Sequence, residues 1–117
     1  MPRHDLGLTL RQMLAYTREA MAIAGRTSRA GLDTDIVVAR ALVHTLEMIG
    51  EAARRVSEQD RVKHPSVPWQ DVVDLRNRLI HGYDRVDWDT VWQIVSGDLP
   101  LLLADLERIA PGPEQAV

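Results

Sequence analysis

The 117-residue chain contains no cysteine, which excludes disulfides and thiolate metal sites. It has no apolar run near the ~18 residues of a membrane span. Its first residues, MPRHDLGLTL, lack the continuous apolar stretch of a signal peptide. A soluble, cytoplasmic protein with no membrane partner is therefore expected. Internal repeats, a Gly-rich phosphate loop and an alternating strand pattern are also missing. His4, His44, His64 and His81 are scattered and no HExxH occurs, so neither a metal site nor a cofactor is expected. The net charge of −3 removes any overall attraction to nucleic acid, and only a local basic patch could supply one.

What is present is ordinary in amount and helical in spacing. Apolar residues make up 45% and charged residues 26%, enough for one modest core in a single domain over 1–117. Leu6, Leu10, Met13, Leu14, Thr17, Met21 and Ala24 recur at three and four, and Gly25 supplies a stop. GRTSRAGLDT reads as a loop, with Asp33 or Thr34 capping the next helix. Val38, Leu42, Leu46, Ile49, Ala53 and Val56 mark a long second helix, in which Gly50 and two alanines permit close helix approach. VKHPSVPW breaks the pattern, and Ser66 is the expected cap of a third helix running to about Gly82, with Pro68 in its first turn. The fourth helix carries Trp88, Val91, Trp92, Val95, Leu99, Leu102, Leu103, Leu106 and Ile109, and Pro100 should kink or restart it after Gly97. The tail from about residue 111, PGPEQAV, is expected to fray. The fold class is all-α, an up-and-down bundle of four main helices.

The stretch RNRLIHGY, Arg76 to Tyr83, does not look like bundle filler. On one continuous helix Val72, Val73, Leu79 and Ile80 lie three and four positions either side of Arg76, which places the arginine inside the apolar stripe. A guanidinium there needs a carboxylate, a partner surface or an anionic ligand, because it cannot lose its charge. Glu47 or Glu51 could form a structural ion pair with it, and Glu51 is read as structural. His81 would stand roughly 140° around and ~7.5 Å above Arg76. The two would converge only if the helix unwinds near Gly82, or if a second copy faces the first across a twofold axis. Asn77 precedes His81 by four residues and could hydrogen-bond the imidazole. A helix-end histidine favoured by the last carbonyls is the plain alternative.

RNRLIHGY resembles the R-x4-H-x-Y motif of the HepT-like branch of the HEPN superfamily. VVARALVHTLEMIGEAARRVSE, HPSVPWQDVVDLRNRLIHGYDRVDWDTVW and DLPLLLADLE resemble that family's pattern in the same order. The resemblance implies a HEPN-like helical fold and a dimeric ribonuclease toxin of a type VII toxin–antitoxin system. Its partner would be a minimal nucleotidyltransferase antitoxin. It further implies that Arg76 and His81 are the catalytic pair, that Asn77 supports them, and that Tyr83 receives AMP from the antitoxin. Those residue types suit metal-independent RNA cleavage. Imidazole can take the 2′-hydroxyl proton near cellular pH, and guanidinium can hold the charge building on the phosphoryl oxygens. The expected ends are a 2′,3′-cyclic phosphate and a 5′-hydroxyl. Arg54, Arg55, Arg78 and Arg85, with Arg61 and Lys63, could form a basic rim that guides RNA, or could be solvated helix-end charges. Trp69, Trp88 and Trp92 have the spacing of core or dimer-seam residues rather than of base-stacking ones. Two other functions remain open: a non-catalytic module that binds a nucleotide or docks a nucleotidyltransferase, and a plain bundle with Arg76 salt-bridged in its core.

Overall fold

The computed structural model describes residues 5–81 and 85–112. The end of the expected frayed tail, 113–117, lies outside them. The order is α1 (Leu6–Ala24), α2 (Arg29–Thr34), α3 (Ile36–Arg54), α4 (Glu58–Val62), α5 (Trp69–Val73), α6 (Leu75–Leu79), β1 (Ile80–His81), β2 (Arg85–Val86), α7 (Trp88–Gln93), a π-helical turn (Ile94–Asp98) and α8 (Leu99–Ile109). Among the described residues the fold is all-α apart from this two-residue ladder.

The long helices follow the apolar spacing. Asp5 caps α1 by accepting the Leu8 N–H at 3.1 Å, and the buried face of α1 carries Leu10, Met13 and Ala20. Thr17 sits on that same face, and its hydroxyl donates to the Met13 carbonyl at 2.7 Å, which satisfies it within an apolar stripe. α3 buries Leu42, Leu46, Ile49 and Ala53 against α1 and against α5 and α6. α8 closes the core from the other side of α1 with Leu99, Leu102 and Leu106. Each large aliphatic side chain buried this way contributes about 1.5–3 kcal/mol.

The connections differ from expectation. The stretch read as a loop contains α2, with Ser28 accepting the Gly31 N–H at 3.0 Å, and the cap of α3 is Asp35 rather than Asp33 or Thr34. α4 starts on Ser57 in the same manner. These helices of six and five residues are too short to show a hydrophobic period. Ser66 caps nothing: Pro68 occupies the N-cap of α5 without a side-chain bond, and the Ser66 hydroxyl instead accepts from Arg108 of α8 at 3.1 Å.

The expected third helix is divided and ends early. Asp74, at φ −85° and ψ 7°, separates α5 from α6. At Ile80 the backbone turns extended, φ −119° and ψ 123°. The Leu79 carbonyl accepts the Asp87 N–H at 2.7 Å, and Ile80 pairs antiparallel with Val86 and His81 with Arg85. The fourth helix runs as α7, the π turn and α8. Near Pro100 the irregularity is the π turn, closed by the Leu99 N–H on the Ile94 carbonyl, with Pro100 in the first turn of α8.

Candidate functional site

The helix end at Leu79 decides where the motif residues go. In α6 the buried positions are Leu75 and Leu79, four apart and on one face. Arg76 lies off that line and its side chain is 59% exposed, so it is not inside an apolar stripe. The interruption at Asp74 is the reason: angular counting from Val72 and Val73 does not carry across it. Arg76 Nε stands 4.0 Å from Glu47 Oε2 on α3, the outer limit for an ion pair. Glu51 instead stands 3.9 Å from Arg54.

His81 sits on β1, not on a helix, and its side chain is 61% exposed. The ~140° separation of a continuous helix therefore does not apply, and neither does a shared face with Asn77. Asn77 is an exposed residue of α6. Unwinding did occur, three residues before Gly82. Tyr83 lies outside the described residues.

The ladder sets the surroundings of His81. Ile80 and Val86 pair and pack against the core, while His81 and Arg85 pair on the exposed side. His81 Nε2 lies 3.3 Å from Oδ2 of Asp87, the residue that caps α7. Oδ1 of the same carboxylate accepts the Thr90 N–H at 3.1 Å. The Thr90 bonds, backbone first and hydroxyl second, hold Asp87 below the ordinary carboxylate range, and His81 adds to this against the opposing cost of desolvation. Sequence reading passed over Asp87. Its cap pattern, an Asp before Trp88, was visible. Its contact with His81 needed the ladder.

The start of α7 is secured from two sides. Arg29 of α2 reaches Asp89 at 2.7 Å and Asp33 at 3.1 Å, and these bonds raise its already high pKa, Asp89 first. Arg40 of α3 lies over the Trp88 ring, 5.7 Å from its centroid. Trp69 is buried and donates its indole N–H to the His64 carbonyl at 2.9 Å, while Trp88 and Trp92 pack partly buried on the core. Among the described residues the tryptophans are packing groups.

The expected basic rim is dispersed. Arg85 stands opposite His81, and Arg54 and Arg55 are exposed at the C-terminal end of α3. Arg61 turns its guanidinium onto the Val56 and Ala53 carbonyls, and Lys63 pairs with Asp60 at 3.1 Å, as helix-end charges do. Arg78 donates to Asp98 at 2.8 Å. Arg76 and Arg78, two residues apart, thus point to α3 and to the π turn respectively. A groove of about 280 Å³ lies between α5, α6 and α8, floored by Val72, Leu75, Leu99 and Leu102 with Arg78 and Asp98 at its edge. Arg76 and His81 are not part of its lining.

Residues 13–109 match the family described as Ribonuclease HepT-like. This chain belongs to that family. The HepT-like chain is 42% identical over 69 residues to a Methanocaldococcus jannaschii protein named "Putative RNase MJ1380", covering 59% of this chain and 63% of the relative. It is 27% identical over 115 residues to "Putative RNase MJ0125" of the same organism, covering 98% and 99%. It is 35% identical over 69 residues to "Probable ribonuclease HepT" of Thermococcus cleftensis, again 59% of this chain and 63% of the relative. No solved structure matches at comparable significance. As a HepT-like protein it is a ribonuclease by family, and among its described residues no helix is long and apolar enough to cross a membrane.

Proposed function

We propose that this HepT-like protein is a metal-independent endoribonuclease in which His81 is the general base and Arg76 the phosphate-binding cation. The observation that carries it is exposure. Both side chains reach solvent from consecutive elements, α6 and β1, and among the described residues Arg76 meets a carboxylate only at 4.0 Å. A guanidinium locked in the core would be useless to a phosphate; this one is open to it.

In the proposed reaction His81 takes the proton of an RNA 2′-hydroxyl, and the 2′-oxygen bonds to the neighbouring phosphorus. The bond from phosphorus to the 5′-oxygen breaks. The leaving oxygen takes a proton from water, and the imidazolium returns its own to solvent. Arg76 binds the phosphoryl oxygens as their charge grows, which is where a fixed cation contributes most. A 2′,3′-cyclic phosphate and a 5′-hydroxyl remain.

The family resemblance supports the rest of the reading. The protein acts in the cytoplasm as a homodimeric toxin, with a minimal nucleotidyltransferase as its antitoxin and AMP on Tyr83 as the silencing mark. Incubation with tRNA and with a short labelled RNA in excess chelator tests the chemistry. Cleavage with cyclic phosphate ends is expected. Cleavage that requires Mg²⁺, or that leaves 3′-hydroxyl and 5′-phosphate ends, would overturn it, and intact RNA would favour a nucleotide-binding or docking module.

A further inference from the structure

Asp87 is the junction of the ladder and α7. Its N–H closes onto the Leu79 carbonyl at 2.7 Å, its Oδ1 caps α7 through the Thr90 N–H at 3.1 Å, and its Oδ2 lies 3.3 Å from His81 Nε2. The first bond fixes the Asp87 main chain and the second fixes one carboxylate oxygen, which leaves the second oxygen on the side of the imidazole. A carboxylate can only accept from a ring nitrogen, and a neutral imidazole has one N–H and one lone pair. For the two to bond, the nitrogen that faces Asp87 has to carry the proton.

We propose that Asp87 is the positioning residue of His81: it selects the tautomer protonated at Nε2 and leaves Nδ1 to take the 2′-hydroxyl proton. This rests on the reading of His81 as base. After the transfer, both ring nitrogens are protonated. Asp87 then holds the imidazolium through a charge-assisted bond without receiving a proton. The Thr90 bonds favour the ionised carboxylate, the form this role uses. The 3.3 Å separation leaves room for that bond to shorten as the ring gains charge.

A helix cap alone would need none of this, and the two roles can be separated by substitution. In Asp87→Asn the amide oxygen still caps Thr90, since Asn and Asp cap equally well, while its NH₂ turns to Nε2 and demands a lone pair there. The ring proton should move to Nδ1, the wrong tautomer for the base. Asp87→Ser keeps a cap but is too short to reach the ring.

The experiment combines ¹⁵N NMR of the His81 ring, at a pH where the imidazole is neutral, with cleavage kinetics on a short labelled RNA. The wild type should show the proton on Nε2 and Asp87→Asn should show it on Nδ1. Both Asp87→Asn and Asp87→Ser should lose kcat, by on the order of 10²- to 10⁴-fold, with KM little changed and with unaltered far-ultraviolet circular dichroism. Asp87→Glu should recover part of the loss. Wild-type kcat in Asp87→Asn, or an unmoved ring proton, would overturn the inference and leave Asp87 a cap. Failure of the underlying reading looks different: the wild type would then leave RNA intact, or His81→Ala itself would cleave it.

Discussion

A Cβ atom built on Gly50 would stand 3.0 Å from the Val72 carbonyl oxygen, so α3 and α5 meet backbone to backbone immediately before the motif helix. The neighbour is main chain and cannot swing aside. Gly50→Ala gains up to about 1 kcal/mol of helix propensity but forces an overpacked contact costing about 1–3 kcal/mol. The contact wins. Thermal unfolding followed by circular dichroism should show a midpoint lower by several degrees, and lower again for Gly50→Val, which adds bulk with less propensity gain. An unchanged or raised midpoint in Gly50→Ala would mean that α5 yields easily.

Both the glycine and the alanines beside it were legible in the sequence as a place of close approach, and Ala52 and Ala53 are indeed buried. The spans of α1 and α3 were legible too, because nineteen residues carry a clear apolar period. α2 and α4 were not. The end of α6 was hidden for a different reason. Val72, Val73, Leu79 and Ile80 keep helical spacing through the break, and what stops the helix is a partner eight residues away, the Asp87 N–H on the Leu79 carbonyl. That one bond changed the reading of the candidate site. It took His81 off the helix, whereas the buried placement of Arg76 failed at Asp74.

The cap at Asp87 should make stability depend on acid. Folding lowers the pKa of Asp87 from its ordinary 3.8, mainly through the Thr90 N–H. The contribution is therefore complete above that value and disappears as pH falls through the folded-state pKa below it. The gap in unfolding midpoint between wild type and Asp87→Ala should narrow from neutral pH to strong acid. A gap that stays constant would show that the ionised form adds nothing to the cap.

The dispersed arginines should differ in their effect on RNA binding. In a His81→Ala background, Arg55→Ala or Arg85→Ala should weaken binding and make the salt dependence shallower. The slope should fall by up to ~0.7–0.9 of a logarithmic unit for each phosphate the variant no longer reaches. Arg78→Ala should do less, because Asp98 already holds that guanidinium at 2.8 Å. Its effect on stability should also be small, within about 0–1 kcal/mol for a pair this exposed. Salt-titrated fluorescence anisotropy checks the order, and a dominant Arg78 effect would contradict it.

Tyr83 carries the regulatory part of the proposal. Incubation with a minimal nucleotidyltransferase, ATP and Mg²⁺ should add an AMP-sized mass to Tyr83 and abolish cleavage, since a phosphodiester there competes for the cation that RNA needs. Tyr83→Phe should cleave RNA and escape silencing. Peptide mass spectrometry that finds the adduct elsewhere, or none, would leave Tyr83 without this role.

RNA cleavage by purified wild type, Arg76→Ala and His81→Ala tests the central claim most directly, with circular dichroism run on the same samples. Both residues are exposed, so both variants should fold, with midpoints close to wild type. Each should reduce cleavage by at least about 10²-fold, the effect expected when a general base or an electrostatic stabiliser is removed. Retained cleavage in either folded variant would contradict the assignment of Arg76 and His81 as the catalytic pair.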